Sequence, residues 1–189
     1  MILPDHEIRK LLAEGILVVE PLRDPEHQVQ AAWVDLTLGD EFKVFKHTQE
    51  PFIDSRQPKD YTETVRADGR PFTVHPGDFI LGITGERIRI PSSLAAYVDG
   101  RSSLGRLGVT AHITAGWIDP GFDGKLVLEI SNLGKMPVTL YPGMRICKLL
   151  LFQLASPAEV PYNLRKDAKY AGQSAVGQSK MYQDEDVRK

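Results

Sequence analysis

The sequence of 189 residues contains a single cysteine, Cys147, and this scarcity excludes several kinds of protein. One cysteine cannot form an internal disulfide or a cysteine-rich metal cluster, so we expect a reducing, cytoplasmic setting. No apolar run approaches the length that spans a membrane. The first residues, from Met1 to Glu7, also lack the basic and apolar regions of a signal peptide. We therefore expect a cytoplasmic protein without a membrane partner.

An excess of basic charge is also missing. The chain has 23 Lys and Arg against 25 Asp and Glu, a formal net charge of -2, so no overall positive field favours binding to a nucleic acid polymer. Hydrophobic residues make up 42% of the chain, which is enough to build a core. Length and composition together predict a single domain over residues 1–189.

Helical periodicity is confined to the start of the chain. Residues 5–15 are predicted to form one helix, with Asp5 as its N-cap and Gly15 in the left-handed conformation at its end. Its apolar stripe consists of Ile8, Leu11 and Leu12. From Trp33 to Phe45 apolar residues alternate instead, which predicts strands on either side of a Gly39-Asp40 turn. Residues 46–70 are polar and predict loops with a little strand.

A short pattern occurs twice. Residues 71–77 and 137–143 both read Pro-apolar-Thr-apolar-aromatic-Pro-Gly, and an apolar run follows each copy. Pro-Gly is the signature of a type II turn, because Pro presets φ and Gly accepts a positive φ. A strand–turn–strand unit used twice indicates an all-β sandwich or barrel.

Chemical groups are concentrated between residues 100 and 129. Glycines flank Arg101, Ser102, Ser103 and Arg106, whose side chains donate hydrogen bonds of the kind that phosphate oxygens accept. Loops of this composition are more often plain surface turns, however, and the run is not a Walker A motif. The residues alone leave both interpretations open.

Two carboxylates and one histidine follow this run. Glu129 stands within a predicted strand with Leu126, Leu128 and Ile130 on the opposite face, so it is either a solvated residue or a general acid/base. Asp119 precedes Pro-Gly, which is also ordinary turn chemistry. His112 has no metal ligand at a suitable spacing, so we expect a hydrogen-bonded structural histidine. Because the zinc-deaminase signature is absent, any deamination would have to activate water without zinc.

Five blocks, in order, resemble the dCTP deaminase family, a branch of the dUTPase-like fold. These blocks are Ala32–Gly39, Gly100–Gly108, His112–Phe122, Leu128–Asn132 and Lys169–Gln173. The resemblance implies an all-β, distorted jelly-roll or β-barrel of the β-clip type, with a short N-terminal helix. It also implies that residues 162–189 form a flexible lid, whereas their polar composition by itself is equally typical of a frayed terminus.

The resemblance implies a role for each matching residue. Glu129 would move protons between the water that attacks C4 of cytosine, the ring N3 and the leaving ammonia. Ser102 would hold that water, and Arg106 would favour the polarised base and bind phosphate. Backbone groups of Val127, Leu128 and Glu129 would read the pyrimidine edge. Further substrate-binding positions are Arg101, Ser103, Leu104, Gly105, Tyr162, Lys169 and Gln173.

One dipeptide distinguishes two kinds of family member. Members that also hydrolyse the product carry Gly and an aromatic residue where this chain has Gly116 and Trp117, and Asp119 is then the base for the second water. We therefore expect a bifunctional enzyme that converts dCTP to dUMP, ammonia and pyrophosphate. The family further implies a homotrimer with sites between subunits, Mg²⁺ carried on the triphosphate rather than in a protein metal site, and inhibition by dTTP.

Three alternatives remain at this stage. They are a deaminase that releases dUTP, a dUTPase without deaminase activity, and a non-catalytic nucleotide-binding module on the same fold. Two departures bear on them. Lys148 stands where hydrolysing relatives often carry Gln, so it is left out of the site. Lys169–Gln173 replaces the glycine-rich motif of stand-alone dUTPases, which argues against a pure dUTPase.

Overall fold

The structure is a computed structural model that describes residues 1–46 and 48–187. In chain order its strands are β1 (Val18–Glu20), β2 (Val29–Gln30), β3 (Trp33–Thr37), β4 (Glu41–Phe45), β5 (Thr62–Arg66), β6 (Phe72–Val74), β7 (Phe79–Arg89), β8 (Leu94–Gly100), β9 (Val109–Thr110), β10 (Trp117–Ile118), β11 (Asp123–Asn132), β12 (Val138–Leu140) and β13 (Arg145–Gln153). The helices are α1 (Asp5–Ala13), α2 (Pro25–Gln28) and α3 (Ser102–Gly105), with 3-10 turns at Tyr162–Leu164 and Met181–Gln183.

Two antiparallel sheets pack against each other. One has the order β5-β4-β7-β11-β9, with β1 paired to the end of β7, and the other has the order β10-β8-β13-β3-β2. Fully buried side chains from both sheets, such as Ile80, Leu128 and Leu149, belong to one hydrophobic cluster. The predicted all-β class and dUTPase-like fold are confirmed, although the described strands do not close into a barrel.

The predicted strands on either side of Gly39-Asp40 are present, but they do not pair with each other. β3 pairs with β2 and β13, whereas β4 pairs with β5 and β7. The turn therefore carries the chain from one sheet to the other. Gly39 suits this crossing, because its N–H donates to Ile83 O at 2.7 Å and a Cβ atom would lie 2.8 Å from that oxygen.

The two copies of the repeated pattern pair with each other. β6 and β12 form a two-stranded antiparallel sheet in which Thr73 lies opposite Thr139, and their hydroxyls are 3.2 Å apart. Gly77 and Gly143 have φ values of 84° and 85°, as the predicted turns require. Each turn then leads into a long central strand, β7 in one sheet and β13 in the other.

The N-terminal helix is shorter than predicted. It covers Asp5–Ala13, and the N-cap position belongs to Pro4, whose backbone is extended. The prediction that Asp5 caps the helix is wrong: Asp5 is the first helical residue and accepts a hydrogen bond from the neighbouring His6 N–H at 2.9 Å. Gly15 has the predicted left-handed conformation, with φ of 66°. No helix in the described part of the chain is long and apolar enough to cross a membrane.

Candidate active site

A cavity of about 550 Å³ lies beside β11, between β10 and the C-terminal tail (residues 162–187). Its wall includes both candidate carboxylates, Glu129 and Asp119, which are ten residues apart in the sequence. Phe45, Phe79 and Leu81 contribute apolar surface. The arrangement of a few polar groups in a mostly apolar concave site is typical of small-molecule pockets.

Glu129 faces this cavity because β11 alternates. Leu128 and Ile130 are fully buried on the other face of the strand, and the Glu129 side chain keeps 25% of its surface exposed. Its Oε2 accepts a hydrogen bond from the Thr114 hydroxyl. The predicted orientation of Glu129 is therefore confirmed, and a second polar side chain, Thr114, fixes one of its oxygens.

His112 holds the backbone beside Glu129. Its Nδ1 lies 3.3 Å from the Glu129 backbone N–H, and its Nε2 lies 2.8 Å from the carbonyl oxygen of Ala115. These contacts match the tautomer in which Nδ1 accepts from Glu129 N–H and Nε2 donates to Ala115 O. The expectation of a hydrogen-bonded histidine is confirmed. The side chain, 9% exposed, also forms part of the cavity wall.

The backbone of Val127 is turned towards the cavity. Lys125 N–H donates to Gln173 O at 2.7 Å, and Glu129 N–H donates to His112, so both groups point away from β7. Leu126 N–H points the other way and donates to the Thr84 hydroxyl at 3.0 Å. Alternation along the strand therefore directs the N–H and C=O of Val127 into the cavity, as the pyrimidine-edge prediction requires.

Gly116 lies where no side chain fits. Its carbonyl accepts from Val98 N–H at 2.8 Å, and a Cβ atom would lie 2.7 Å from both Val98 O and the Tyr97 ring. Trp117 packs against Tyr97 and Phe152 at centroid distances of 5.3 and 5.4 Å while lining the cavity. Asp119 follows directly after β10 and is positioned by that strand.

Asp119 sits at the open side of the cavity. Its side chain is 54% exposed, and its carboxylate lies 3.7 Å from a guanidinium nitrogen of Arg165. The sequence did not single out Arg165, which belongs to the polar tail. At this position the carboxylate is accessible to water from the solvent side.

The loop from Gly100 to Gly108 lies outside this cavity. The loop contains the short helix α3, which sequence periodicity did not predict. Ser102, Ser103 and Gly105 on this helix are exposed, and so is Arg106, which follows it. The side chain of Leu104 is 5% exposed and belongs to the core, which leaves its backbone for any ligand contact. None of the described cavity-lining residues comes from this loop.

Arg101 is engaged within its own chain. One guanidinium nitrogen donates to Arg145 O at 3.0 Å, and another lies 4.0 Å from the carboxylate of Asp35. Asp35 is 3% exposed and also accepts from the Arg145 guanidinium at 3.0 Å. Nearby, Lys148 lies over the Trp33 ring at 4.6 Å. Trp33 and Asp35 thus bind the side chains of Lys148, Arg101 and Arg145 at this end of the sheet.

The tail contributes two of the three residues predicted from it. Tyr162 and Gln173 line the cavity, and the Tyr162 hydroxyl accepts from Tyr170 N–H at 2.9 Å. Burial raises the pKa of Tyr162. Lys169 does not line the cavity: it pairs with Asp184 at 2.6 and 2.7 Å in a separate depression. Residues 188 and 189, included in the predicted lid, lie outside the described residues.

In the described residues no three His, Cys, Asp or Glu side chains come together as a metal-binding group. The site that the structure assembles is therefore one of carboxylates, backbone polar groups and an apolar wall.

A sequence model described as dCTP deaminase-like matches residues 2–154. The chain belongs to this family. A curated relative from Methanothermobacter thermautotrophicus, named dCTP deaminase, dUMP-forming, is 48% identical over 99% of this chain and 97% of its own length. A relative from Haloarcula marismortui, named dCTP deaminase, is 50% identical over 97% of this chain and 96% of its own.

A solved structure gives the same result at the level of the fold. The 2'-deoxycytidine 5'-triphosphate deaminase from Agrobacterium tumefaciens matches with a TM-score of 0.63 and 25% identity. The match covers 79% of this chain and 46% of the Agrobacterium chain, so this chain spans about half the length of that protein. The resemblance read from the five sequence blocks is confirmed.

Proposed function

We propose that this member of the dCTP deaminase-like family deaminates dCTP at C4 of cytosine and then hydrolyses the bound dUTP to dUMP and pyrophosphate. Such a reaction supplies the precursor of dTTP. The observation that carries the proposal is that Glu129, Gly116 and Asp119 share one cavity. The full-length similarity to a dUMP-forming relative supports the same activity.

Deamination needs a base for water and an acid for the departing amine. Glu129 takes a proton from the water that attacks C4 and delivers it to N3 of the ring. Glu129 then takes the proton of the new C4 hydroxyl and passes it to the amino group, so that the C4–N bond breaks, the C4 carbonyl forms and ammonia leaves. The Thr114 hydroxyl occupies Oε2 and leaves Oε1 for these transfers. The Val127 backbone holds the pyrimidine edge in register.

Hydrolysis uses the other carboxylate. Asp119 accepts a proton from a second water, which attacks the α-phosphate of bound dUTP and releases pyrophosphate. Gly116 lets the chain pack directly against Val98 and Tyr97, which fixes where β10 places Asp119 beside the cavity. Tyr162 and Gln173 border the same side of the cavity and bind the nucleotide.

Among the described residues, no lysine or arginine lines the cavity of one chain, so cationic groups for the triphosphate must come from elsewhere. Ser102, Ser103 and Arg106 are exposed and lie outside it. We propose that these groups enter the cavity of a neighbouring subunit in a homotrimer, and that Arg101 joins them when its contacts with Arg145 O and Asp35 open. There Ser102 holds the attacking water and Arg106 binds phosphate. Lys169 joins them only if its pair with Asp184 opens.

Mg²⁺ and dTTP complete the proposal. Mg²⁺ prefers oxygen ligands and keeps several waters, so the triphosphate oxygens are suitable ligands and a protein cage is not needed. When bound, the ion neutralises negative charge on the phosphates. dTTP shares the triphosphate and a pyrimidine edge with the substrate, and we expect it to compete for the same cavity.

A deaminase that releases dUTP is the second candidate. The relative from Haloarcula marismortui carries the shorter name dCTP deaminase at 50% identity, slightly above the dUMP-forming relative. The pair Gly116 and Trp117 favours the bifunctional reaction, because hydrolysing members carry Gly and an aromatic residue there.

The substitution Glu129→Gln tests the deaminase step. It keeps the shape of the side chain but removes the proton acceptor, so ammonia release from dCTP should fall by about 10² to 10⁴-fold. Binding of dCTP, measured by calorimetry, should stay within a few fold of the unmodified protein. The same change at exposed Glu63 on β5 is the control. Full ammonia release by the Glu129 variant would contradict the assignment.

A further inference from the structure

The C-terminal tail is hydrogen-bonded to strand β4 through the carboxylate of Glu41. Val176 N–H donates to Glu41 Oε1 at 2.8 Å. Two residues of the tail also pair with β11, since Gly172 N–H donates to Asp123 O at 2.9 Å and Lys125 N–H donates to Gln173 O at 2.7 Å. We propose that Glu41 is a positioning residue that holds the tail closed over the cavity. The effect on turnover, but not the contact itself, rests on the proposed function.

Glu41 is fixed in the orientation that the tail requires. Its side chain is 17% exposed, and Oε2 accepts from the Arg66 guanidinium at 3.0 Å across the β4–β5 pair. This leaves Oε1 directed at the tail. A carboxylate that accepts from a backbone N–H makes a hydrogen bond about twice as strong as a neutral acceptor does.

Val176 is a buried apolar residue in a polar segment. Its side chain is 4% exposed, whereas its neighbours Ser174 and Ala175 are exposed. The next three residues, Gly177, Gln178 and Ser179, form part of the cavity wall. The position of Val176 therefore sets the position of this wall, and Glu41 acts on the cavity through it without lining it.

At its other end, near Gln173, the docked segment of the tail is packed tightly against β11. A Cβ atom at Gly124 of β11 would lie 2.9 Å from Gln173 O and 3.0 Å from Gln173 N. Backbone of the tail thus lies directly against β11, and Gln173 Nε2 adds a hydrogen bond to Lys125 O at 3.2 Å. Strands β11 and β4 therefore hold residues 172–176 from two sides. Residues 177–179 form part of the cavity wall only while this segment of the tail is docked.

The substitution Glu41→Ala tests this role in the intact protein. Without nucleotide, trypsin cleavage after Lys169 and Lys180, followed by mass spectrometry, reports how often the tail opens. Loss of a hydrogen bond to a charged group should raise the cleavage rate about tenfold or more. The KM for dCTP should rise up to about tenfold while kcat changes less than about twofold, because saturating nucleotide draws the tail back.

Two further variants sharpen the test. Glu63→Ala removes the same charge from an exposed site on the neighbouring strand β5 and should leave cleavage and KM unchanged. Val176→Pro removes the backbone N–H that donates to Glu41, so it should raise the cleavage rate of the tail as Glu41→Ala does. The variant that carries both Glu41→Ala and Val176→Pro should then have the same cleavage rate and KM as Val176→Pro alone, since the shared hydrogen bond is already lost.

Some outcomes would overturn the proposal. One is tryptic cleavage of the Glu41→Ala tail at the rate of the Glu63→Ala control. Another is a loss of melting temperature of about 8 °C or more with kcat and KM affected together, which would make Glu41 a residue of the fold instead. Absence of any dCTP turnover in the unmodified protein would count against the proposed function, and the cleavage experiment would still decide the role of Glu41.

Discussion

Glu129 shows how far a single residue can be interpreted from its pattern. Its place between Leu128 and Ile130 was enough to predict which way it faces, because strand alternation is a local rule. The contact with Thr114, fifteen positions earlier, was not predictable, although Thr114 lies in one of the matching blocks. It depends on how the loop 112–116 folds back onto β11, and that is decided by tertiary packing.

The substitution Thr114→Val should slow deamination without unfolding the protein. It keeps the shape of the side chain and removes the hydroxyl that fixes Glu129 Oε2, so kcat should fall about tenfold with a smaller change in KM. Steady-state ammonia release measures this.

Thr110→Val is the matched control. The Thr110 hydroxyl is buried and lacks a hydrogen-bond partner within the described residues, so its removal should leave kcat unchanged. Equal kcat values for Thr114→Val and the unmodified protein would show that the hydroxyl does not assist Glu129.

Cys147 gives a prediction about pH. Burial raises the pKa of its thiol, so the folded state holds the proton more tightly than the unfolded state. The resulting stability is complete below the unfolded pKa of about 8.5 and declines at higher pH. The free energy of unfolding should fall by about 1.4 kcal/mol per pH unit more steeply than in Cys147→Ala. Identical slopes in denaturant titrations at pH 8 to 10 would contradict this.

At the scale of elements, the sequence predicted what each segment is better than what it pairs with. The strands beside Gly39-Asp40 and the turns at Gly77 and Gly143 follow from local periodicity and from residues that accept positive φ. Their partners depend on contacts far along the chain. Helix α3 was missed because four residues rich in Ser and Gly carry no helical period.

The short strand β10 gives a prediction for Gly116→Ala. A Cβ atom 2.7 Å from the Val98 carbonyl cannot be accommodated by a side-chain movement alone, so β10 must shift and Asp119 with it. We expect dUTP to appear as a released product and the melting temperature to fall. Product chromatography and thermal unfolding measure the two effects.

Gly105→Ala is the control for stability, because a Cβ atom there meets open space. If Gly116→Ala formed dUMP without free dUTP and melted like the control, the packing of β10 would not govern hydrolysis.

At the scale of the whole molecule, the separation of the two groups of predicted site residues is the main feature. Glu129 and Asp119 share a cavity, while Ser102 and Arg106 lie outside it. The sequence blocks implied both groups, and no rule about local structure could place them in the same or in different chains. In the homotrimer proposed above, one subunit completes the cavity of another and brings the two groups together.

Mixed assemblies test this arrangement. Glu129→Gln and Arg106→Ala chains should each be inactive alone, since each lacks one half of every site. Refolded together, they should regain deaminase activity, because some cavities combine an intact Glu129 with an intact Arg106 from the neighbour. Light scattering should give about three times the chain mass of 21.1 kDa. Failure of the mixture to recover activity would indicate that each chain builds its site alone.

The products of dCTP turnover test the central claim most directly. Purified protein incubated with dCTP and Mg²⁺ should yield dUMP, pyrophosphate and ammonia in equal amounts, with little dUTP in solution at any time. Accumulation of dUTP as the final nucleotide, or turnover without ammonia, would contradict the account.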